Sequence, residues 1–96
     1  MKESLFKAIA YPQRRKILKL LQDGPLTAGQ LAADFDISKS SLSYHFNILK
    51  EADLIRSERN AQEQIYSLNT NVFESAAALL LDLFHKPRPA TRKQRA

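Results

Sequence analysis

The residues from Ser38 onward constrain the fold more than any other part of this 96-residue sequence. Ser38 belongs to the residue types that cap helix N-termini, and Leu42, Phe46 and Leu49 follow it at helical spacing. At about 100° per residue, these three apolar side chains lie on one side of a helix. The pattern therefore predicts an amphipathic helix over about residues 39–52, with one face against a hydrophobic core.

The opposite face of this predicted helix carries hydroxyl, phenol and amide groups rather than the Glu, Lys and Gln that commonly solvate an exposed face. Small hydrogen-bonding groups allow a helix to enter a DNA major groove, which is about 12 Å wide, and to contact base edges. A serine-rich N-terminal turn without any partner would give the same local pattern. The candidate DNA-binding residues of this segment are Lys39, Ser40, Ser41, Ser43, Tyr44, His45 and Asn47. Among them, His45 lies about 60° from the centre of the apolar face, so we expect it to be partly buried or beside a phosphate.

Three shorter helices are predicted before this segment. The first covers about residues 3–10, and the second, over about 12–23, begins at Pro12, whose missing N–H suits a first turn. Thr27 and Gln30 form the capping-box pattern of a third helix. We expect the basic residues of the second helix to face solvent, where they would contact the DNA backbone or pair with acids: Arg14, Arg15, Lys16 and Lys19.

Two short runs after the amphipathic helix have strand character, Leu54–Glu58 and Gln64–Leu68. The five residues between them predict a hairpin turn in which Asn60 can accept a positive φ. Arg56 on the first strand and Arg59 in the turn are candidate contacts of such a wing to phosphates or to the minor groove. An ordinary solvated turn is the alternative, because two nearby glutamates weaken the positive field.

A last helix is predicted from Asn69 or Thr70 to about Lys86, and apolar residues cover well over half of its circumference. Such a helix needs burial on more than one side. Packing of the terminal helices against their copies in a two-fold dimer satisfies this need. A monomer whose first and last helices cover each other is the alternative. The candidate dimer-interface residues are Leu5, Phe6, Ile9, Val72, Phe73, Ala76, Leu80, Leu83 and Phe84.

The net charge of +5 does not itself indicate nucleic-acid binding. Residues 86–96 contain five basic and no acidic residues, so residues 1–85 are formally neutral, with ten of each sign. We expect one domain over residues 1–86 and a basic, disordered tail over 87–96 that adds non-specific phosphate affinity or is simply solvated.

Several classes of protein are disfavoured by what the sequence lacks. It contains no cysteine and only two glycines, so thiolate metal sites and Gly-rich phosphate loops are excluded, and no catalytic constellation stands out. Asp82 and His85 would supply only half of a metal site. We expect no enzyme activity, no cofactor and no bound metal.

Membrane insertion is also disfavoured. No apolar run approaches the roughly 20 residues that span a bilayer, and the N-terminal residues lack the apolar core of a signal peptide. We expect a cytoplasmic protein.

The order of elements, four helices, a hairpin and a helix, predicts a mainly α fold with a small β-hairpin, a winged helix-turn-helix of about five helices. Three segments also resemble the ArsR/SmtB-type repressors, and the resemblance extends over about residues 4–84. The segments are Phe6–Leu18, Leu26–Ala32 and Ile37–Ala52, with Ile65–Leu68 similar to the second wing strand of that family. Within the family the chain is most similar to autorepressors that lack a metal site.

This resemblance implies a homodimeric repressor that binds double-stranded DNA at an inverted repeat, with base contacts from Ser40, Ser43 and Tyr44. The chain departs from the family in having Asp53 where a glycine is usual, no wing glycine and no cysteine ligands. Metal sensing is therefore not carried over. Two alternatives remain open, a winged-helix module that binds protein instead of DNA and a metal-responsive repressor that uses Asp82 and His85. An inducer, either a protein or a small molecule, also remains open.

Overall fold

A computed structural model of the chain describes residues 4–84. Five α-helices, a 3-10 turn and a three-stranded antiparallel sheet follow one another, which confirms the winged helix-turn-helix fold and its helix count. The predicted tail, His85 and Lys86 lie outside the described residues. The elements are α1 (Ser4–Ala8), α2 (Pro12–Leu20), the 3-10 turn (Leu21–Asp23), β1 (Leu26–Thr27), α3 (Ala28–Ala32), α4 (Lys39–Glu51), β2 (Ile55–Asn60), β3 (Glu63–Leu68) and α5 (Thr70–Phe84).

The helix-turn-helix pair, α3 and α4, is capped as the sequence predicts. The Thr27 hydroxyl accepts a hydrogen bond from the Gln30 backbone N–H at 3.1 Å, and the Thr27 N–H donates to Oε1 of Gln30 at 2.9 Å. At α4, the Ser38 hydroxyl oxygen accepts from the Ser41 backbone N–H at 3.1 Å. Each cap satisfies helix N–H groups that would otherwise lack partners, so both helix starts are fixed by side chains.

The hydrophobic core forms beneath α4. Leu42, Phe46 and Leu49 are all at most 3% exposed, as their spacing predicts. The ring of Phe46 lies 4.3 Å from that of Tyr66 on β3, which joins the helix to the sheet. Burial of these side chains supplies the main driving force for docking α4 on the domain.

The sheet contains one strand more than the sequence analysis expects. β1 pairs antiparallel with β3, with Leu26 opposite Tyr66 and Thr27 opposite Ile65, so the strand order is β1-β3-β2. Two residues are too few to show the alternation that identifies a strand, and Thr27 also caps α3. The base of the wing is therefore attached to the segment that precedes the helix-turn-helix.

The hairpin turn is shorter than predicted. Asn60 pairs with Glu63 in the ladder, so only Ala61 and Gln62 form the connection. The positive φ of the turn is at Ala61, with φ of 60°, and not at Asn60, the residue that the sequence analysis nominated for it. A two-residue connection needs such a conformation to match the twist of its strands. Asp53, which stands where the family usually has a glycine, also has a positive φ, of 61°. Its backbone thus takes the left-handed conformation that glycine adopts readily.

Within residues 4–84, none of the helices combines the length and the apolar character that a membrane span requires.

Replacement of Ala61 tests the conformation of the wing turn. Ala61→Gly should raise the free energy of unfolding by up to about 1 kcal/mol, because release of left-handed strain, about 1–2 kcal/mol, exceeds the extra backbone entropy of glycine, about 0.5–1 kcal/mol. Ala61→Val should lower it, since a β-branched side chain is disfavoured at positive φ. Urea unfolding measures both changes. A destabilising glycine together with a neutral valine would contradict the observed turn.

Candidate nucleic-acid interface

The outer face of α4 is polar and open. Tyr44 is 61% exposed, and its neighbours on the same helix include hydroxyl, amide and ammonium groups. The core residues on the opposite side fix the rotation of the helix, so these groups point away from the domain. The exposed candidates are Lys39, Ser40, Ser41, Ser43, Tyr44 and Asn47.

Three hydroxyl groups are linked at the start of α4. The Ser38 hydroxyl donates to Oγ of Ser41 at 2.9 Å, and the Ser38 and Ser40 oxygens lie 3.2 Å apart. Ser41 is therefore engaged in the helix cap. Ser43 and Tyr44 lie beyond this cluster, one turn further along α4, and both are exposed.

His45 lies on α4, on the side that faces the start of α2. Its ring centroid is 5.7 Å from that of Tyr44 and 6.4 Å from that of Tyr11. The Nδ1 atom is buried and has no hydrogen-bond partner in the described part of the chain. Burial and, to a smaller extent, the positive charge of Arg14 lower the pKa of His45 below its ordinary value of 6.5. The imidazole is therefore neutral at neutral pH.

Arg14 is buried, and the expectation that it faces solvent is wrong. Only 4% of its surface is exposed, and its guanidinium carbon lies 4.1 Å from the centroid of the Tyr11 ring. The signal was present in the sequence, because Arg14 precedes Ile17 and Leu18 by three and four residues and so shares their face. Arg15 is exposed and donates to the Ile9 carbonyl at 2.8 Å.

The two arginines of the wing are placed differently. Arg56, at the base of β2, is exposed and donates from Nη2 to Oδ1 of Asn69 at 3.3 Å. Asn69 in turn donates from Nδ2 to the Asp53 carbonyl at 2.9 Å. Arg59 is exposed next to the hairpin turn, opposite Gln64. Only Arg59 therefore lies at the outer end of the wing.

The helix α5 exposes a large apolar surface toward its C-terminal end. Leu81, Leu83 and Phe84 are 62%, 63% and 83% exposed, and Leu79 and Leu80 are more than a third exposed. Phe6 on α1 is exposed as well, whereas Ile9, Val72 and Phe73 are half-buried. The other two candidate interface residues, Leu5 and Ala76, lie in the protomer's own core, so a partner would contact the exposed members of the set.

A metal centre is not formed by the residues that the structure describes. Within residues 4–84, no three His, Cys, Asp or Glu side chains are grouped closely enough to hold an ion. Asp82 is exposed on α5, and its potential companion His85 lies outside this range.

Comparison with known proteins places this geometry in a family. Residues 11–57 match the family model described as bacterial regulatory protein, arsR family. The chain is 48% identical over 83 residues to the transcriptional repressor SdpR of Bacillus subtilis, an alignment covering 86% of this chain and 92% of that protein. It is 32% identical over 80 residues to the transcriptional activator HlyU of Vibrio cholerae, covering 83% and 74% of the two chains.

Solved structures agree with this assignment. A crystal structure of an ArsR family transcriptional regulator matches with a TM-score of 0.78 at 29% identity, over 83% of this chain and 82% of that one. The structure of HlyU from Vibrio cholerae matches with a TM-score of 0.70 at 32% identity, over 84% and 88%.

The fold and the outward polar helix define a winged helix-turn-helix protein that binds DNA and regulates transcription. The chain belongs to the ArsR family of bacterial regulatory proteins. Its members are regulators, so the protein is not an enzyme.

The burial of His45 predicts a pH dependence of stability. Because its pKa is lower in the folded chain than the ordinary value of 6.5, the unfolded chain binds the proton more tightly. Neutral His45 therefore contributes to the free energy of unfolding above pH 6.5, and this contribution is lost as the pH falls through the lowered pKa. His45→Gln, which does not titrate, should reduce the loss of stability between about pH 7.5 and about pH 5.5. Urea unfolding at the two pH values measures this loss, and equal losses in wild type and variant would contradict the assignment.

Proposed function

We propose that this protein is a transcriptional repressor that acts as a homodimer on an inverted-repeat operator. Its similarity to the repressor SdpR at 48% identity supports the direction of regulation. The observation that carries the proposal is the outer face of α4, where exposed hydroxyl, phenol and amide groups lie on the side opposite a fully buried apolar face. In this arrangement α4 enters the major groove and its polar face contacts base edges.

The wing contributes contacts to the DNA backbone in this proposal. Arg59 lies at the outer end of the hairpin, where it can reach a phosphate or the adjacent minor groove. Arg56 is bonded to Asn69, so it contacts DNA from the base of the wing and has less freedom to reorient.

Sequence discrimination should depend on Ser43 and Tyr44. The double variant Ser43→Ala, Tyr44→Ala should lose most of its preference for operator over random duplex, because base contacts carry the sequence information. Each lost base contact is expected to cost about 1–3 kcal/mol of discrimination. Fluorescence anisotropy with an operator selected from a random pool measures the preference, and Gln22→Ala, an exposed polar change distant in sequence from α4, is the control. A double variant that discriminates as wild type does would overturn the assignment of α4.

The dimer is formed by α5 and α1 in this proposal. The exposed leucines and Phe84 of α5 form an apolar surface together with Phe6 of α1. Exposure of this surface to water is unfavourable in free energy. A second copy of the chain is the occupant that a palindromic operator needs, because two-fold symmetry of the protein then matches that of the DNA. The two copies of α4 would contact half-sites about one helical turn apart.

Charge placed on this surface should separate the subunits. Leu80→Glu combined with Leu83→Glu should halve the mass observed by analytical ultracentrifugation, because two carboxylates cannot be buried at an apolar interface without partners. Operator affinity should fall with it, since each monomer then binds a single half-site. Asp82→Ser, a change at an exposed position of the same helix turn, should leave the dimer intact. A wild-type protein that sediments as a monomer at micromolar concentration would rule out the dimer.

Metal-independent action is part of the proposal. It is supported by the cysteine-free sequence, which offers no thiolate ligand. An inducer, if one acts, would then be a molecule other than a metal ion.

A further inference from the structure

The N-terminus of α2 lies beside α4 and has no capping side chain. Tyr11 precedes the helix in an extended conformation, and its side chain makes no cap hydrogen bond. The nine-residue helix packs against α4, and the ring of Tyr11 at its start lies 6.4 Å from that of His45, so its positive end is close to the proposed DNA surface. Pro12 has no N–H, and the N–H groups of Arg14 and Arg15 both donate to the Tyr11 carbonyl at 3.1 Å, so the helix dipole, rather than a set of free N–H groups, makes this end favourable for an anion.

A buried cation reinforces this end of the helix. Arg14 is the third residue of α2, and its guanidinium folds back over the ring of Tyr11, the residue at the cap position. Its side chain is 4% exposed, and its Nε has no hydrogen-bond partner within the described residues. Because Nε is fully buried, a group from outside the chain does not reach it, and Arg14 would act on a ligand through the charge of its guanidinium, which burial leaves weakly screened.

Three aromatic rings connect Arg14 to the outer face of α4. Tyr11, His45 and Tyr44 follow one another with ring centroids 6.4 Å and 5.7 Å apart. Both tyrosines are more than half exposed. Since Nδ1 of His45 is buried, Nε2 is the ring nitrogen available to a ligand. We call the set Tyr11, Arg14, Tyr44 and His45 the α2–α4 junction.

We propose that the α2–α4 junction binds a phosphate of the DNA backbone when α4 lies in the major groove. This inference rests on the proposed function and adds a contact to it. Phosphates line both edges of the groove, so one of them lies beside a helix whose outer face contacts bases. His45 donates from Nε2 and Tyr11 from its hydroxyl, while Arg14 and the start of α2 supply the positive charge.

This phosphate contact would position α4 without contributing sequence information. The formally neutral folded body offers no broad positive field, so local charge must orient the protein on the duplex. Loss of the contact should therefore weaken operator and random duplex by the same factor, unlike loss of Ser43 and Tyr44.

The test uses an operator duplex selected by binding and a set of duplexes in which one backbone phosphate at a time is a neutral methylphosphonate. At one position in each half-site, the substitution should weaken wild-type binding by about tenfold to a hundredfold, the worth of one hydrogen bond to a charged group. Tyr11→Phe and His45→Phe keep the rings but remove the donors. Each should weaken binding to a similar extent, and the methylphosphonate at that position should then add little further loss.

Two variants of α2 that each remove one positive charge provide a second test and its matched control. Arg14→Gln should lower the salt slope of binding by about 0.9, the value for one phosphate contact on B-DNA. Lys19→Gln, at the exposed last turn of the same helix, should leave the slope unchanged. If Arg14→Gln does not fold, Tyr11→Phe and His45→Phe still test whether a phosphate is bound at the α2–α4 junction.

Two results would overturn the inference. In the first, the loss of affinity caused by Tyr11→Phe or His45→Phe adds fully to the loss caused by the methylphosphonate, whichever phosphate is replaced. This additivity would show that no phosphate is bound at the α2–α4 junction. A loss confined to the operator, with random duplex unaffected, would assign His45 to base contacts instead. A wild-type chain that binds no duplex even at low salt would overturn the proposed function as well, so the two failures are distinguishable.

Discussion

The burial of one face of α4 is the interaction on which the rest of the structure depends. Leu42, Phe46 and Leu49 fix the helix against the domain, and the stacking of Phe46 on Tyr66 joins it to the sheet. Because an α-helix repeats every 3.6 residues, fixing one face also fixes the opposite one. The polar outer face of α4 is thus a consequence of core packing. In the proposed complex, small residues such as Ser43 would leave room for close approach to DNA.

A second set of contacts joins the DNA-binding part to the proposed dimer helix. Asn69, directly before α5, bonds to the Asp53 carbonyl after α4 and accepts from Arg56 of the wing. Its backbone N–H also bonds the Leu54 carbonyl at 2.9 Å. These bonds hold the start of α5 to the end of α4 within the chain, so in the proposed dimer the spacing of the two α4 helices would follow from how the α5 helices pack.

Charge in this protein acts locally. The folded body is formally neutral, and the excess of basic residues belongs to positions 86–96. Arg14 has its effect because it is buried at a helix start beside His45, where the same charge is screened less than at the surface. The fold is shared by relatives named as a repressor and as an activator, so the fold alone does not fix the direction of regulation.

The sequence by itself determined the helices, their caps and the buried face of α4, because these depend on local spacing and on residues such as Thr27 and Ser38. Tertiary structure decided the features that depend on distant partners. β1 exists only because Leu26 and Thr27 meet β3, and the hairpin tightens until Ala61 takes the positive φ. Contact of Tyr11 and Arg14 with His45 also joins residues more than thirty positions apart, which no local pattern specifies.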